Sequence, residues 1–318
     1  MMPDCSIVIP VHGLAEVTRQ CLDRLLSELK RSCGSEIIVV DDASRDGTLA
    51  MLAGYGAAIR VVAHAENRGF SHACNSGAKV ASGRHLVFLN NDTIPLAGWL
   101  DALVHHAEAH PLAAIVGSKL LYPDGTIQHA GMVFDADRHP RHIYLGFPAD
   151  HPAVNRSRPY RMVTGACMLI ARATFEAAGG FDTAFVNGYE DVDLCLRVGA
   201  FGREVHYCHE SVLIHLESVS EGRTARDPAN HDLYSRRWKA KVSPDDLLYY
   251  QEDGLIRFAY RGVSPMALTV APELGVIDDE ARRTSADRLL AARAEQVRAL
   301  LKETITLRVH GGRGARSA

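Results

Sequence analysis

Over the first ninety residues, short apolar runs alternate with polar turns and amphipathic stretches. CSIVIPV (5–11), EIIVV (36–40), IRVVAH (59–64) and HLVFL (85–89) are rich in branched residues and end at charged or turn-forming ones. Runs of that length and composition predict buried strands. Between the first two, Val17, Cys21, Leu22, Leu25, Leu26 and Leu29 recur at helical spacing and predict a helix over 15–30 with one apolar face. Asp46 and Gly47 form a turn from which Thr48 starts a second helix, and 66–83 runs from a loop into a third, stopped at Gly83. Strands alternating with helices predict an α/β fold with a mostly parallel, doubly wound sheet.

Beyond residue 95 the rhythm changes. GWLDALVHHAEAH (98–110) predicts a helix with Trp99 in the core and His105 and His106 in solvent. Residues 113–135 predict two strands around the Pro123-Asp124-Gly125 turn. The stretch 137–161 has no period and is rich in Pro, Arg and His, as expected of a binding loop or lid. VTGACMLIA (163–171) predicts a buried strand, ATFEAAGGFD a short helix ending at Gly179-Gly180, VDLCLRVGAFG (192–202) another helix, and REVHYCHESVLIH (203–215) a strand pair. A C-terminal extension, 241–318, carries an amphipathic helix over about 278–304, with Leu289, Leu290, Val297, Leu300 and Leu301 as its stripe, and a disordered tail.

Composition narrows the classes. With 318 residues and 47% hydrophobic content, the chain can bury a sizeable core. A net charge of −3 gives no electrostatic footprint for nucleic acid. Seven scattered cysteines without a CxxC pair predict reduced thiols in the cytoplasm. The start lacks the basic and apolar regions of a signal peptide, and no apolar run reaches the ~20 residues that span a bilayer. Peripheral association with the inner face of the plasma membrane and the oligomeric state stay open.

The chemistry concentrates at two places. Asn90, Asn91 and Asp92 follow the strand 85–89, where open α/β sheets bind ligands; Asp92 is placed to hold a hard cation that in turn holds a diphosphate. The second cluster, GYEDVDLCLR (188–197), puts Glu190 and Asp191 at a helix start. One carboxylate for a metal and one for proton transfer are enough to move a sugar from a nucleotide.

The succession SIVIPVHG, EIIVVDDASRDGT, NRGFSHACNSGAKVASG, LVFLNNDT, TGACMLIAR, GGFD and GYEDVDLCLR resembles glycosyltransferase family 2 over roughly residues 4–240. The NNDT form and HAGMVF (129–134) are most similar to its rhamnosyltransferase-like, O-antigen or polysaccharide-building branch. The resemblance implies a GT-A fold, with 1–95 as the nucleotide-sugar half and 96–240 as the acceptor half, and an inverting mechanism. It implies that Pro10, Val11, Asp41, Asp42, Arg68, Asn90, Asn91 and Asp92 bind the nucleotide sugar and that Thr164 and Gly165 floor the acceptor site. Asp191 becomes the base, with Glu190 orienting the helix or the acceptor, and Asp92 and His215 the ligands of Mn²⁺ or Mg²⁺.

A carboxylate at Asp41 can accept the imide N–H of uracil or thymine, and Asp42 can hydrogen-bond the ribose or cap a helix. Asn90 stands where the family's Asp-x-Asp signature has its first acid, which weakens metal binding there. His206, Cys208, His209 and His215 do not make a zinc site on this reading: 206 and 208 share a strand face, 209 points away, and no CxxC accompanies them. The expected function is transfer from a UDP- or dTDP-sugar, dTDP-rhamnose among them, to a hydroxyl of a glycan or lipid-linked acceptor. The alternatives are an inactive nucleotide-sugar-binding or scaffold module and a sugar nucleotidyltransferase. The latter would carry a Gly-rich phosphate loop after the first strand, where this chain has PVHGLAEV.

Overall fold

The computed structural model describes residues 4–29, 34–216, 227–260, 266–271 and 274. The helix expected at 278–304 lies outside the described residues. The chain divides into two compact units, one of residues 1–133 and 140–242, the other of 134–139 and 243–318.

The first unit opens with the predicted alternation. Strands β1 (Cys5–Val11), β2 (Ser35–Asp41), β3 (Arg60–Ala63) and β4 (His85–Leu89) pair in parallel in the order β4-β1-β2-β3. The helices α1 (Ala15–Leu29), α2 (Thr48–Ala53) and α3 (Phe70–Val80) connect them. β1 and β4 are sandwiched between helix layers, so their side chains are buried on both faces and the period-two signal vanishes from their sequences. On one face Ile7, Ile9, Val39 and Val87 pack with Leu22 and Leu25 of α1; Trp99 and Leu103 belong to the same core. On the other, Gly77 lets α3 approach closely: a Cβ there would lie 2.3 Å from Val8.

The sheet then turns mixed. After β5 (Thr93–Pro95) and α4 (Trp99–Ala109) come β6 (Ala113–Leu121), β7 (Ile127–His129), β8 (Met132–Phe134), β9 (Pro140–His142), β10 (Arg158–Tyr160) and β11 (Cys167–Ala171). Next are α5 (Arg172–Ala177), α6 (Glu190–Ala200), β12 (Glu204–His215) and α7 (Asp227–Arg237). β11 runs antiparallel between β4 and β6, β12 is parallel to β6, and β10 closes the edge. The mostly parallel sheet flanked by helices is the architecture expected from the sequence; the antiparallel β11 within it is a departure.

Two further segments depart from expectation. Residues 203–215 form one strand, β12, and not a pair. Its register against β6 slips between Cys208 and Val212, and the bulged polar residues His209 and Glu210 interrupt the apolar run as a turn would. Residues 140–161 are built into the molecule. Arg158 is buried, donating to the hydroxyls of Tyr144 and Tyr160, and the Tyr207 hydroxyl donates to the carbonyl of Val154. Three-residue strands are too short to show a period. His106, expected in solvent, is buried on the inner side of α4, while His105 is exposed.

Six cysteines, at 5, 21, 74, 167, 195 and 208, are buried free thiols. Among the described residues no helix is long and apolar enough to cross a membrane. In the second unit, α8 (Asp246–Glu252) is followed by the antiparallel pair β13 (Ile256–Tyr260) and β14 (Met266–Val270). The Phe134 amide donates to Asp245 Oδ1, and the Asp245 amide donates back to the Phe134 carbonyl.

Candidate functional site

The C-terminal ends of β1, β2 and β4 form one edge of the sheet. At the end of β2, Asp41 is fully buried. Its Oδ2 accepts a long 3.4 Å bond from the Ser44 amide, and its Oδ1 has no partner among the described residues. A buried carboxylate oxygen left without a donor calls for one. Asp42, beside it, is committed internally: it accepts from the amides of Arg68 and Gly69 and from His64 Nδ1 at 2.7 Å. That network fixes the 64–69 loop beside the end of β2, so Asp42 acts on the backbone there. The Arg68 side chain is exposed. Pro10 and the buried Val11 end β1, where the Val11 carbonyl accepts from the Asp42 amide at 2.7 Å. Asp46 is a cap: it accepts from the Thr48 amide and hydroxyl and from the Ala15 amide, and the Thr48 hydroxyl holds its carboxyl below the usual range.

The end of β4 meets the end of β12. β5 pairs antiparallel with β12, with Thr93 opposite His215, and the Leu216 amide donates to the Asp92 carbonyl. This brings together side chains 123 residues apart: His215 Nε2 lies 3.0 Å from Asp92 Oδ1 and 3.4 Å from Asn90 Nδ2. The other ring nitrogen, Nδ1, is 2.5 Å from Gln128 Oε1, and Gln128 Nε2 donates to the His215 carbonyl. That second bond fixes the amide's orientation, so Gln128 Oε1 faces the ring and Nδ1 must carry the hydrogen. Nε2 then points a lone pair at a carboxylate oxygen, an arrangement that needs a proton or a cation between them. Two adjacent ligands of an octahedral ion at ~2.1 Å stand about 3 Å apart, so the donor set fits a small divalent cation. Asn91 turns back instead and donates to Thr18 on α1.

A third segment closes on the same edge. β11 begins opposite Leu89, so residues 164–166 lie beside 90–92, and the Asn90 amide donates to the Ala166 carbonyl. The Gly165 amide donates to Asp191 Oδ2 at 2.8 Å, and the Val192 amide to Asp191 Oδ1. A Cβ on Gly165 would sit 3.3 Å from the Asp191 Cβ, so the close approach suits glycine. Thr164 caps this turn, its hydroxyl accepting from the Ala166 amide. Glu190 is buried, and its Oε2 accepts from the Gly188 amide at 2.5 Å. The turn presenting these acids is strained: Asn187, Gly188 and Tyr189 all have positive φ, at 55°, 155° and 68°.

α6 is anchored from behind. Asp193, fully buried, accepts from Arg197, Arg237 and Trp238 Nε1, which ties α7 to the helix that carries Asp191. Gln128 and Asp193 are the supporting residues that sequence reasoning left without these roles. Gln128 follows no spacing rule, because its partner lies 87 residues away.

The model of glycosyl transferase family 2 matches residues 6–176. O-antigen biosynthesis protein RfbC of Myxococcus xanthus is 33% identical over 258 residues, covering 78% of this chain and 20% of RfbC. This chain therefore spans about a fifth of that relative's length. An N-acetylglucosaminyl-diphospho-decaprenol L-rhamnosyltransferase of Mycobacterium tuberculosis is 27% identical over 248 residues, 70% of this chain and 80% of that protein. Among solved structures, the mannosyltransferase PcManGT from Pyrobaculum calidifontis, in complex with GDP-Man and Mn²⁺, superposes with a TM-score of 0.58 at 19% identity, covering 97% of this chain and 81% of that one. That likeness supports the GT-A fold.

Proposed function

The chain belongs to glycosyl transferase family 2, and from that premise we propose that it transfers a sugar, with inversion, from a UDP- or dTDP-sugar to a hydroxyl of a glycan or lipid-linked acceptor. dTDP-rhamnose is the donor we favour, because a relative that this chain matches over 70% of its length is named as an L-rhamnosyltransferase. One observation carries the reading. The Asp92–His215 pair and the Asp191 carboxylate reach the same sheet edge, joined through the Asn90–Ala166 bond and the neighbouring Gly165–Asp191 bond.

In this reading Asp41 Oδ1 accepts the imide N–H of uracil or thymine, which fits its lack of a partner among the described residues. Pro10 and Val11 line the base, and the backbone at 67–69, held by Asp42, borders the nucleotide. Asp92 and His215 would hold a divalent cation, which would supply the charge that neutralises the departing diphosphate. An imidazole ligand favours Mn²⁺ over Mg²⁺. Gln128 keeps the His215 lone pair aimed at that position. Asp191, oriented by the Gly165 amide, takes the acceptor hydroxyl's proton as its oxygen attacks C1. Thr164 and Gly165 floor the acceptor side, and Glu190 fixes the helix start. The free buried thiols fit a reducing, cytoplasmic setting, and a lipid-linked acceptor would bring the enzyme to a membrane surface.

The test incubates the protein with a panel of UDP- and dTDP-sugars and hydroxyl acceptors, with Mn²⁺ or with chelator. Nucleoside diphosphate should appear only with acceptor and cation together, and the product's anomeric configuration should be opposite to the donor's. Formation of nucleoside triphosphate from the donor on addition of pyrophosphate would make the protein a nucleotidyltransferase. Donor binding without turnover on any acceptor would make it a binding module.

A further inference from the structure

At the other end of β12 from His215, three imidazoles face one another. His106 lies in the last turn of α4, His110 follows that helix, and His206 stands near the start of β12. His106 Nε2 is 3.0 Å from His206 Nδ1, and one ligand nitrogen from each of the three rings lies within 4.8 Å of the others. The His106 and His110 rings stack with centroids 4.2 Å apart; the other two centroid distances are 5.2 and 5.3 Å.

The outward nitrogens are already spoken for. His206 Nε2 is 2.8 Å from Glu204 Oε2, and a carboxylate only accepts, so Nε2 carries the hydrogen and Nδ1 offers a lone pair. His110 Nδ1 is 2.9 Å from the carbonyl of His106, which also only accepts, so His110 Nε2 is bare. His206 Nδ1 thus offers its lone pair to the cluster, His110 keeps Nε2 free to ligate, and the third lone pair comes from His106 once its ring carries its hydrogen on Nδ1. An imidazole whose far nitrogen donates to a carboxylate or carbonyl is the arrangement that orients metal-bound histidines. Burial, with the neighbouring histidines His110, His206, His209 and His105, pushes His106 down to about 4, so that ring is neutral at physiological pH.

We propose that His106, His110 and His206 form a second metal site, for a borderline-soft transition cation of the Zn²⁺ class, with Glu204 as the group that orients His206. Three nitrogen ligands with no carboxylate among them suit Zn²⁺ and disfavour Mg²⁺, and Mn²⁺ binds such sites most weakly of the first-row divalent ions. The site is therefore separate in chemistry, as well as in place, from the carboxylate-bearing pair of Asp92 and His215. A tetrahedral ion with ~2.0–2.1 Å bonds needs nitrogens roughly 3.3 Å apart. The 3.0 Å pair needs little change, and His110, exposed past the helix end, swings to meet it. A water completes the tetrahedron on the open side. The ion ties the C-terminal end of α4 to the first residues of β12 and takes no part in transfer.

The test uses the whole chain, stripped of metal with chelator. His215→Ala is the background, so that Asp92 and His215 contribute no Zn²⁺ binding. Zn²⁺ is titrated against a chromophoric competitor, and Co²⁺ serves as a spectroscopic probe. The background protein should bind one Zn²⁺, show a visible Co²⁺ d–d band of tetrahedral intensity, and melt at higher temperature with Zn²⁺ than without. Adding His110→Ala, an exposed position where truncation leaves the core intact, should abolish the band and the thermal shift. Glu204→Gln should weaken Zn²⁺ roughly 10- to 100-fold. In the otherwise native chain, His110→Ala should leave Mn²⁺-dependent transfer unchanged. Equal Zn²⁺ affinity with and without His110, or no Zn²⁺ binding by the background protein, would overturn the proposal, and neither result bears on the transferase reading.

Discussion

Asp41 carries a sharp expectation at the scale of a single side chain. Its Oδ2 is loosely engaged by the Ser44 amide and its Oδ1 is buried and unpartnered among the described residues. In Asp41→Asn the amide oxygen stays with Ser44, so an NH₂ group replaces the free oxygen and meets the base's imide N–H. Leaving that buried donor unsatisfied should cost about 1–3 kcal/mol, weakening UDP or dTDP binding by roughly 5- to 150-fold in calorimetry. Unchanged affinity would move the base elsewhere. Asp191→Asn keeps the shape and removes the base: transfer should fall by about 10²–10⁴, with donor affinity near that of the native protein. A variant that transfers normally would end the assignment. Asp92 and Asp191 were legible in the sequence because each is an acid at the boundary of a strongly patterned element. Gln128 was not, because a residue that holds a ring 87 positions away leaves no local signature. Asp42 read as a candidate site acid in the sequence, which gave no sign of the turn of its oxygens toward its own chain. The sequence placed His106 on the right helix and the wrong face, since two adjacent histidines give a helix no polarity.

The elements that position the site depend on close backbone approaches. α3 lies on β1 through Gly77, where a Cβ would meet Val8 at 2.3 Å and Val40 at 3.1 Å. Both valines are β-branched and buried in central strands, so neither can yield cheaply. In Gly77→Ala the better helix propensity of alanine, worth about 1 kcal/mol, opposes an overpacking penalty of about 1–3 kcal/mol. The net effect should be a loss of up to about 2 kcal/mol, read as a melting point lower by several degrees. A melting point that rises would mean that α3 lifts from the sheet without resistance. The parallel half of the fold was legible because β1, β2 and β4 are long enough, and buried enough, to dominate their own stretches of sequence, while β3, a short exposed edge strand, showed through its branched residues. The mixed half was less so. β7, β8, β9 and β10 have three residues each, β10 is held by pairing with the distant β12, and the bulge in β12 looks like a turn when read locally.

Acid sensitivity belongs to the whole molecule, because it sums over rings buried in different places. His129 is fully buried with its Nε2 unpartnered among the described residues, and burial together with the nearby His142 and His215 holds its pKa well below the usual value. His106 is pushed down to about 4, chiefly by burial, and burial also lowers His85. In the unfolded chain these rings take up protons near pH 6.5; in the folded chain they do so only at lower pH. Between the two values the unfolded state binds more protons, so stability rises with pH in that window and is lost as pH falls through it. Each histidine contributes a slope of up to about 1.4 kcal/mol per pH unit, hence about 4 kcal/mol per unit for three where their windows overlap. A domain whose total stability is roughly 5–15 kcal/mol cannot sustain that slope for long. Urea unfolding in the presence of chelator should therefore give a midpoint that is level above about pH 7 and declines steadily below pH 6.5, before the carboxylates begin to titrate near 4. His129→Gln should flatten the decline by about one histidine's share, even if its stability at pH 8 is lower. A midpoint that stays level down to pH 4.5 would mean that the folded protein accepts these protons, and that the rings are better hydrated than their burial implies.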